Sequence, residues 1–469
     1  MTRLTRRSFV STLVGTAGLA AVDPVLVLAK TADGFFDLTA KQSAIHLVGK
    51  DGPSSTLWAY NNTSPGPQIR VRQGERVRVR FHNNLTEATS IHWHGIRIDN
   101  AMDGVSGLTQ EPVQPGDSFD YDFVVPDAGT YWYHAHNKSW NQVARGLYGS
   151  LIVEEPAEVF DRDHDLTLVL DDWRLQQDGT FDTASLGSMM DWSHGGRVGN
   201  WPTTNGERLP NFVLRTGEAY RLRLINAANA RIFEIDPNRF NARILAWDGQ
   251  AVPLPHKLPY QPLLLGPAQR VDLLVIPKKP GEFALEEISG PKPWPTAVFR
   301  VIAGNSGTAQ ETPILPVNSL PDPDLDKSIT VPLKMTGGAM RRMGPTTYKG
   351  QPLDGENYQR TRQFWAFNGV ANLGEDPLFR AQIGQTMQVE ISNATAFPHA
   401  MHVHGHHFRV VARDGNKIND GSPWRDTVMV GAEQSVTIAF VADNPGKWLL
   451  HCHMLEHAAA GMNTWFEVA

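Results

Sequence analysis

A block of alternating residues occurs three times along the chain, and it constrains the fold more than any other feature. Each copy begins with a glycine, continues with alternating apolar positions and ends with an asparagine. The spacing is identical in all three copies: Gly74 to Asn83, Gly217 to Asn226 and Gly384 to Asn393. Because apolar residues with a period of two are typical of half-buried strands, three such blocks predict three copies of one β-domain.

A second glycine follows each block in the same order and supports this division. It is Gly129 in "PDAGTYWYHAH", Gly281 in "PKKPGEFALEE" and Gly446 in "DNPGKWLLHCH". A chain of 469 residues also agrees with about three domains of roughly 150 residues each. We therefore predict an all-β fold of three Greek-key β-sandwich domains. Their ranges are 31–157, 158–310 and 311–469, and proline-rich residues 305–327 connect the last two.

The N-terminus resembles a twin-arginine export signal, through Arg6, Arg7 and Phe9 in "TRRSFV". The apolar run that follows, 13–21, is too short to span a bilayer and suits the hydrophobic part of a signal peptide. We assign residues 1–30 to this signal and expect a periplasmic protein. The alternative is a basic tail on a cytoplasmic protein. No later segment looks transmembrane, so we expect no membrane partner.

The net charge gives evidence on binding partners, and the single cysteine gives evidence on disulfides. A net charge of -6 and a pI near 6.3 give no electrostatic reason to expect nucleic acid as a partner. Exported proteins often contain disulfides, but the only cysteine, Cys452, cannot form one within the chain. Cys452 therefore needs a different role.

Most of the 17 histidines lie in four short clusters, each of which includes a His-x-His pair. The clusters are "HWHG" (His92, His94), "YWYHAHN" (His134, His136), "PHAMHVHGH" (His399, His402, His404) and "HCHMLEH" (His451, His453, His457). Because side chains alternate across a strand, the two imidazoles of each pair project to one side and can serve a common metal centre. Two pairs belong to the first domain and two to the third, so a shared site would lie between these domains.

The middle copy has the scaffold without these ligands. Glu286 stands five residues after Gly281, where the other two copies have His134 and His451. Its own histidines are scattered, and we interpret them as ordinary loop or surface residues: His164, His194 and His256.

The composition of the clusters favours copper. Four imidazole pairs without carboxylates exceed what one tetrahedral zinc ion needs and indicate a multinuclear copper cluster. In "HCH", strand alternation sends Cys452 to the opposite face from His451 and His453, where its thiolate would bind a second centre. Two histidines, one cysteine and a methionine are the composition of a blue-copper electron-transfer site, and His399, His457 and Met462 complete that set.

With these motifs the chain resembles a three-domain multicopper oxidase, of the group that contains bacterial laccases and periplasmic cuprous oxidases. The patterns "HxHG", "HxH", "HxxHxH" and "HCHxxxHxxxxM" are all present. The resemblance implies cupredoxin-like domains and about four coppers per chain. It makes His399, Cys452, His457 and Met462 the type 1 ligands, and His92 and His402 the type 2 ligands. It makes the following the type 3 ligands: His94, His134, His136, His404, His451 and His453.

The same resemblance implies a copper-dependent oxidoreductase that takes single electrons from a reducing substrate near the edge of His457. Cys452 and its neighbours His451 and His453 would carry these electrons to the cluster, where dioxygen becomes two waters. Water formation also needs protons. Asp103 in "NAMDGVSG" matches a family carboxylate near the type 2 copper, although an ordinary Asp-Gly turn has the same pattern.

One expected acid is missing. The family often has a carboxylate directly after the equivalent of His457, and this chain has Ala458 there, within "HAAAG". Glu456 precedes the histidine and is expected to point elsewhere. Protons must then come through water, through Asp103 alone or from an acid that the sequence does not identify.

The substrate is the least constrained feature. Laccase-type oxidation of phenols and aromatic amines is the leading hypothesis, and cuprous or ferrous oxidation for copper tolerance is the alternative. Family members that oxidise Cu(I) often carry a methionine-rich insertion, whereas the matching region here has only Met335, Met340 and Met343. A copper-free cell-division scaffold, which the intact ligands argue against, and a copper store are the non-enzyme alternatives. We expect a monomer.

Overall fold

The structure of the protein is a computed structural model that describes residues 26–236, 240–258, 262–304, 312–354, 357–418 and 421–469. The twin-arginine motif expected at Arg6, Arg7 and Phe9 lies outside these ranges, as does the domain boundary expected at 310. Across the described ranges, no helix is both long enough and apolar enough to cross a membrane.

Strands β1–β8 form the first sandwich, whose two sheets share one apolar core. The strands are β1 Phe36–Ile45, β2 Ser55–Tyr60, β3 Gly66–Arg72, β4 Arg76–Asn84, β5 Ile91–His94, β6 Ser118–Val124, β7 Gly129–Ala135 and β8 Tyr148–Glu154. The sheet orders are β2-β1-β4-β6 and β3-β8-β7-β5. A short helix, α1 Ser139–Gln142, lies between β7 and β8.

Strands β9–β19 form the middle sandwich around its own core. They are β9 Asp165–Trp173, β10 Trp201–Thr204, β11 Asn211–Arg215, β12 Tyr220–Asn226, β13 Phe233–Ile235, β14 Arg243–Trp247, β15 Gln250–His256, β16 Leu263–Leu265, β17 Arg270–Val275, β18 Gly281–Glu287 and β19 Trp294–Ile302. The sheet orders are β10-β9-β12-β17-β14-β15 and β11-β19-β18-β13-β16. Helix α2 Met189–Ser193 lies in the long connection between β9 and β10.

Strands β20–β32 form the third sandwich and a separate small hairpin. They are β20 Ile329–Gly337, β21 Thr347–Tyr348, β22 Gln351–Pro352, β23 Trp365–Phe367, β24 Arg380–Ala381, β25 Gln385–Asn393, β26 His399–Val403, β27 Arg409–Arg413, β28 Asn416–Lys417, β29 Thr427–Val430, β30 Ser435–Ala442, β31 Gly446–Cys452 and β32 Asn463–Val468. The sheet orders are β23-β20-β25-β30-β27-β28 and β24-β32-β31-β26-β29, with β21 paired to β22. The helices are α3 Asn357–Thr361 and α4 Leu455–Ala459.

The three sandwiches are built to one plan. In each, the first strand runs parallel to the strand of the repeated block, as β1 does to β4, β9 to β12 and β20 to β25. The block strand then pairs antiparallel with β6, β17 or β30. The expected all-β fold of three cupredoxin-like sandwiches is confirmed.

The glycine that opens each repeated block turns the chain into its strand. Gly74, Gly217 and Gly384 have φ angles of 79°, 82° and 85°, a region that residues with a side chain rarely adopt. A Cβ at any of the three would meet no atom within 4 Å. Backbone conformation, and not lack of space, therefore selects glycine here.

The asparagine that closes each block bridges two loops. In the first sandwich, Asn83 Nδ2 donates to the Val113 carbonyl at 2.8 Å, and its Oδ1 accepts from the Leu85 amide at 3.1 Å. Asn226 and Asn393 make corresponding bonds in the other two sandwiches. All three side chains are buried, so their loss would leave backbone groups unsatisfied.

Buried ion pairs join the middle sandwich to the first. Arg223 of β12 binds Asp165 of β9 and also donates to Thr130 Oγ1 of β7 at 2.8 Å. Arg70 of β3 lies 3.0 Å from the same Asp165 carboxylate. Because strand β7 also carries a histidine of the proposed site, these bonds fix one half of that site against the middle sandwich.

Candidate metal centre

The histidine pairs lie on strands that occupy matching positions in the first and third sandwiches. Strands β5 and β7 place His92 opposite His134, and β26 and β31 place His402 opposite His451. The other member of each pair lies on the same strand or directly after it: His94, His136, His404 and His453. The middle sandwich has Glu286 on β18, the counterpart of β7 and β31.

Imidazole stacks join the two sandwiches. The ring centroids of His92 and His404 are 3.9 Å apart, and those of His94 and His402 are 3.8 Å apart. The structure therefore brings the four pairs into one group between the first and third sandwiches. We call these eight residues the histidine group.

Burial keeps most of the histidine group neutral. It lowers the pKa of His451 to about 3, and neighbouring imidazoles oppose protonation further. It lowers the pKa well below the usual value in six others: His94, His134, His136, His402, His404 and His453. Neutral imidazole is the form that binds metal ions.

Unpaired ring nitrogens show that the group fits a metal. The Nδ1 atoms of His92 and His402 lie 2.8 Å and 2.9 Å from the carbonyl oxygens of Asp103 and Asp426, to which they donate. Their buried Nε2 atoms have no hydrogen-bond partner in the described part of the chain. The buried Nδ1 atom of His94 likewise has no hydrogen-bond partner among the described residues. A buried lone pair without a donor is costly, and an imidazole-only donor set suits copper.

Further close sets complete the group. His136, His404 and His451 each offer a ring nitrogen within 4.8 Å of the other two. The Nε2 atoms of His404 and His451 lie 3.1 Å apart. On the other side, the Nε2 atoms of His134 and His453 lie 3.3 Å apart.

A thiol and two imidazoles form a second, separate set, which we call the thiol set. Cys452 Sγ lies 3.6 Å from His399 Nδ1 and 3.9 Å from His457 Nδ1, and all three side chains are fully buried. Burial raises the pKa of the Cys452 thiol to about 12, so a bound metal ion is needed to hold a thiolate at neutral pH. Met462 is also buried, and its carbonyl accepts a hydrogen bond from the Cys452 amide at 3.0 Å.

Three consecutive residues connect the two sets. Cys452 belongs to the thiol set, whereas His451 and His453 on either side belong to the histidine group. This follows from strand geometry, because successive side chains of β31 point to opposite faces.

Asp103 lies against both halves of the histidine group. It follows a 3₁₀ turn, Asn100–Met102, and is fully buried. Its Oδ2 accepts from His404 Nδ1 at 3.0 Å, and its Oδ1 lies 3.2 Å from His92 Nδ1. The sequence-based candidate for a proton donor is therefore in contact with the group.

Asp426 also contacts the histidine group, and the sequence motifs do not predict this contact. Its Oδ1 lies 3.3 Å from His94 Nε2, and Arg270 of the middle sandwich donates to its two oxygens at 2.8 Å and 2.6 Å. The only sequence signal is a carboxylate directly before the apolar run "TVMV". The middle sandwich thus supports the histidine group although it supplies no imidazole to it.

The middle sandwich also holds His457. The Nε2–H of His457 donates to the carbonyl of His194 at 2.6 Å, which leaves the Nδ1 lone pair for the thiol set. Beside it, Glu456 Oε1 accepts from Asn229 Nδ2 at 2.7 Å. Glu456 therefore points away from the histidine group, as expected, and burial raises its pKa to about 7. The sequence gives no sign of the His194 contact, because a backbone carbonyl makes it.

A cavity of about 330 Å³ reaches the histidine group at His136 and His451. Ala458 and Ala459 of α4 and Lys138 after β7 are among the residues in its wall. This volume has room for several water molecules, at about 30 Å³ each. The position where the family often has an acid therefore borders space that water can fill.

Comparison with known proteins gives matches over nearly the whole chain. Two family models described as multicopper oxidase match residues 42–158 and 345–469. Multicopper oxidase MmcO of Mycobacterium tuberculosis is 30% identical over 97% of this chain and 91% of its own. The laccase of Pycnoporus cinnabarinus is 30% identical over the same shares, 97% and 91%. A multi-copper oxidase structure from Pseudomonas thermotolerans has 32% identity and a TM-score of 0.80, covering 92% of this chain and 98% of its own.

Proposed function

This chain belongs to the multicopper oxidase family, and on that premise we propose that it oxidises phenols and aromatic amines, one electron at a time, while reducing dioxygen to water. It is a copper-dependent oxidoreductase with dioxygen as the acceptor. The observation that carries the proposal is the junction at Cys452. A site that takes single electrons is joined there, by adjacent residues, to a group that can collect them.

Four copper ions are proposed, one of type 1, one of type 2 and a type 3 pair. The thiol set with Met462 would hold the type 1 ion, and His92 and His402 the type 2 ion. The type 3 ligands would be His94, His134, His136, His404, His451 and His453. When bound, the copper ions supply the electron storage that dioxygen reduction requires.

The chain itself provides the electron route and excludes water from it. Cys452 is fully buried, and its backbone leads directly to the imidazoles of His451 and His453. Tight packing fixes the thiol set, because Trp365 lies against the His457 ring at 4.5 Å between centroids. Buried, hydrogen-bonded ligands need little rearrangement when the charge of a site changes.

Protons would reach the histidine group by two routes. Asp103 contacts His404 and His92 and is proposed as the acid that serves the group from one side. On the other side, the cavity beside Ala458 brings water to His136 and His451. Water in this cavity would replace the carboxylate that the family often has at that position.

Cuprous oxidation is the second candidate function. Met190 and Met340 are 62% and 68% exposed, and the Ala339 amide donates to the Ser193 carbonyl at 2.8 Å, which joins their two segments. Thioethers suit Cu(I). Met335 and Met343, the other two methionines that the sequence singles out, are buried in the core.

The location and the assembly are part of the same proposal. Residues 1–30 would direct export to the periplasm by the twin-arginine route, and the mature chain would act as a monomer. Its three domains would span 31–157, 158–310 and 311–469, and the grouping of the strands into three sandwiches supports a division into three.

A purified, copper-loaded sample tests the proposal. It should be blue, contain about four coppers per chain and consume oxygen with guaiacol as the donor. Copper-free protein is the control and should be colourless and inactive. Absence of the intense visible band, or copper binding without oxygen uptake, would contradict the oxidase. Comparing the rates of oxidation of Cu(I), Fe(II) and guaiacol would show which of the two candidate functions is the stronger.

A further inference from the structure

The imidazole of His457 has no exposed edge. Its side chain is 0% exposed, and its ring lies between Trp365 and His399, at 4.5 Å and 5.0 Å between centroids. The one polar edge that faces the middle sandwich is closed by the 2.6 Å bond to the His194 carbonyl. A substrate therefore cannot touch the ring that the resemblance makes the point of electron entry.

His194 connects this buried ring to the surface. Its own imidazole is half-buried, and its Nδ1 atom lies 3.0 Å from Ser193 Oγ. Its Nε2 atom has no hydrogen-bond partner among the described residues. The ring also stands edge-on to Phe397, with 5.8 Å between centroids. His194 thus offers a free polar atom and an aromatic surface one hydrogen bond away from a proposed type 1 ligand.

The described surroundings of His194 suit an aromatic molecule and lack the free carboxylates that a hard cation needs. Exposed Met190 and Met340 lie on the two segments that meet at Ser193, and thioethers make favourable contacts with aromatic rings. In the described segments 189–195 and 338–344, Asp191 is the only carboxylate. Arg174 already binds both of its oxygens, at 2.7 Å and 3.0 Å. No free carboxylate of these segments is available to bind a hard cation, and comparing guaiacol with Cu(I) separates a phenol from a soft ion.

We propose that an electron-rich phenol docks on His194, with its hydroxyl group hydrogen-bonded to Nε2 of the imidazole. The electron then passes through the His194 carbonyl and the Nε2–H of His457. In each event the phenol loses one electron, which the type 1 centre gains, and releases its hydroxyl proton to bulk water, so a neutral phenoxyl radical leaves. This inference rests on the proposed function for its reaction, and it makes His194 of the middle sandwich a catalytic residue.

Substituting His194 tests whether its imidazole binds the phenol or only supports the thiol set. Every substitution keeps the backbone carbonyl, so His194→Ala should leave the blue band and the type 1 potential unchanged. Loss of the hydrogen bond and the ring contact should raise the KM for guaiacol about tenfold. His194→Gln, which keeps a hydrogen-bonding group, should recover part of that loss. His256→Ala, which removes an exposed histidine of the same sandwich, is the matched control and should behave as the wild type.

A binding measurement tests docking without turnover. In copper-loaded enzyme that is fully reduced under nitrogen, saturation-transfer NMR should detect guaiacol with the wild type and lose the signal with His194→Ala. Unchanged KM and unchanged binding in that variant would overturn the inference. A lost blue band would overturn it too, because His194 would then be only a support. A defect with Cu(I) and none with guaiacol would assign the surface to cuprous ion instead.

The two proposals fail in different ways. Wild-type enzyme that takes up no oxygen with guaiacol would contradict the proposed function, whatever the His194 variants do. Wild-type enzyme that oxidises guaiacol equally well without the His194 imidazole would contradict only the docking site.

Discussion

The Nδ1 atom of His404 in the third sandwich lies 3.0 Å from the Oδ2 atom of Asp103 in the first. Because the other oxygen of Asp103 lies 3.2 Å from His92, one buried carboxylate spans the interface at which the histidine group forms. The group is therefore held together by the hydrogen bonds of this side chain as well as by the metal ions that it would bind.

Replacing Asp103 by asparagine should slow dioxygen reduction. The amide keeps the shape of the side chain but can no longer carry a proton, so kcat should fall about 10- to 100-fold while the blue band remains. Oxygen uptake measures kcat, and visible spectra measure the blue band. Asp99→Asn, at an exposed residue that caps the same turn, is the control. An unchanged kcat in Asp103→Asn would remove Asp103 from the mechanism.

Replacing Cys452 by serine should abolish the blue colour and the turnover together. A hydroxyl group is a poor substitute for the soft thiolate of a type 1 site, and the proposed electron route to the histidine group leaves that site through this sulfur. Circular dichroism should show an unchanged β-sandwich spectrum, because the substitution alters one buried atom. Turnover by the serine variant would mean that electrons enter the histidine group elsewhere.

A carboxylate introduced at Ala458 should enter the cavity beside His136 and His451. Ala458→Glu should make oxygen reduction less dependent on solvent protons, with a rate about tenfold above that of Ala458→Gln at high pH. The glutamine variant fills the same space without an acidic proton and controls for the change in volume. Equal pH profiles for the two variants would show that water already supplies protons fast enough.

Loss of Arg270 should destabilise the junction of all three sandwiches. Both Arg270 and Asp426 are fully buried, so Arg270→Leu leaves an unpaired charge, which typically costs about 3–5 kcal/mol. The melting temperature should fall by several degrees. Arg76→Leu, which breaks a surface pair with Asp122, should change it little. Equal effects of the two substitutions would contradict the role given to the buried pair.

Asp171 should make the protein less stable as the pH rises. Burial and the neighbouring Asp172 carboxylate raise the pKa of Asp171 to about 7, whereas an unfolded aspartate titrates near 4. The folded state holds this proton more tightly, so the stabilisation is present below about pH 4 and is lost as the pH rises to about 7. Asp171→Asn stays uncharged and can still accept a hydrogen bond from Tyr148. Its melting temperature relative to the wild type should therefore rise between pH 5 and pH 8, and a constant difference would refute the assignment.

Local spacing made much of the fold and the site predictable. The period of two in the repeated blocks gave the sandwiches, and the same period placed His451 and His453 on one face and Cys452 on the other. Asp426 and His194 could not be found this way. Asp426 contacts the histidine group from outside the motifs and is held by an arginine of another sandwich, and His194 acts through a backbone carbonyl. Such contacts depend on how separate sandwiches dock, which has no local pattern in the sequence.

Asn226 makes the same loop-bridging bonds in the middle sandwich as Asn83 and Asn393 make in the other two. The architecture of each module is thus complete without any metal ligand. A module that supplies no metal ligand can vary in its loops wherever they make no contact with the histidine group or the thiol set. On the proposals made above, the three copies would divide the labour: the middle copy would give shape to the entrance, and the other two would perform the redox chemistry.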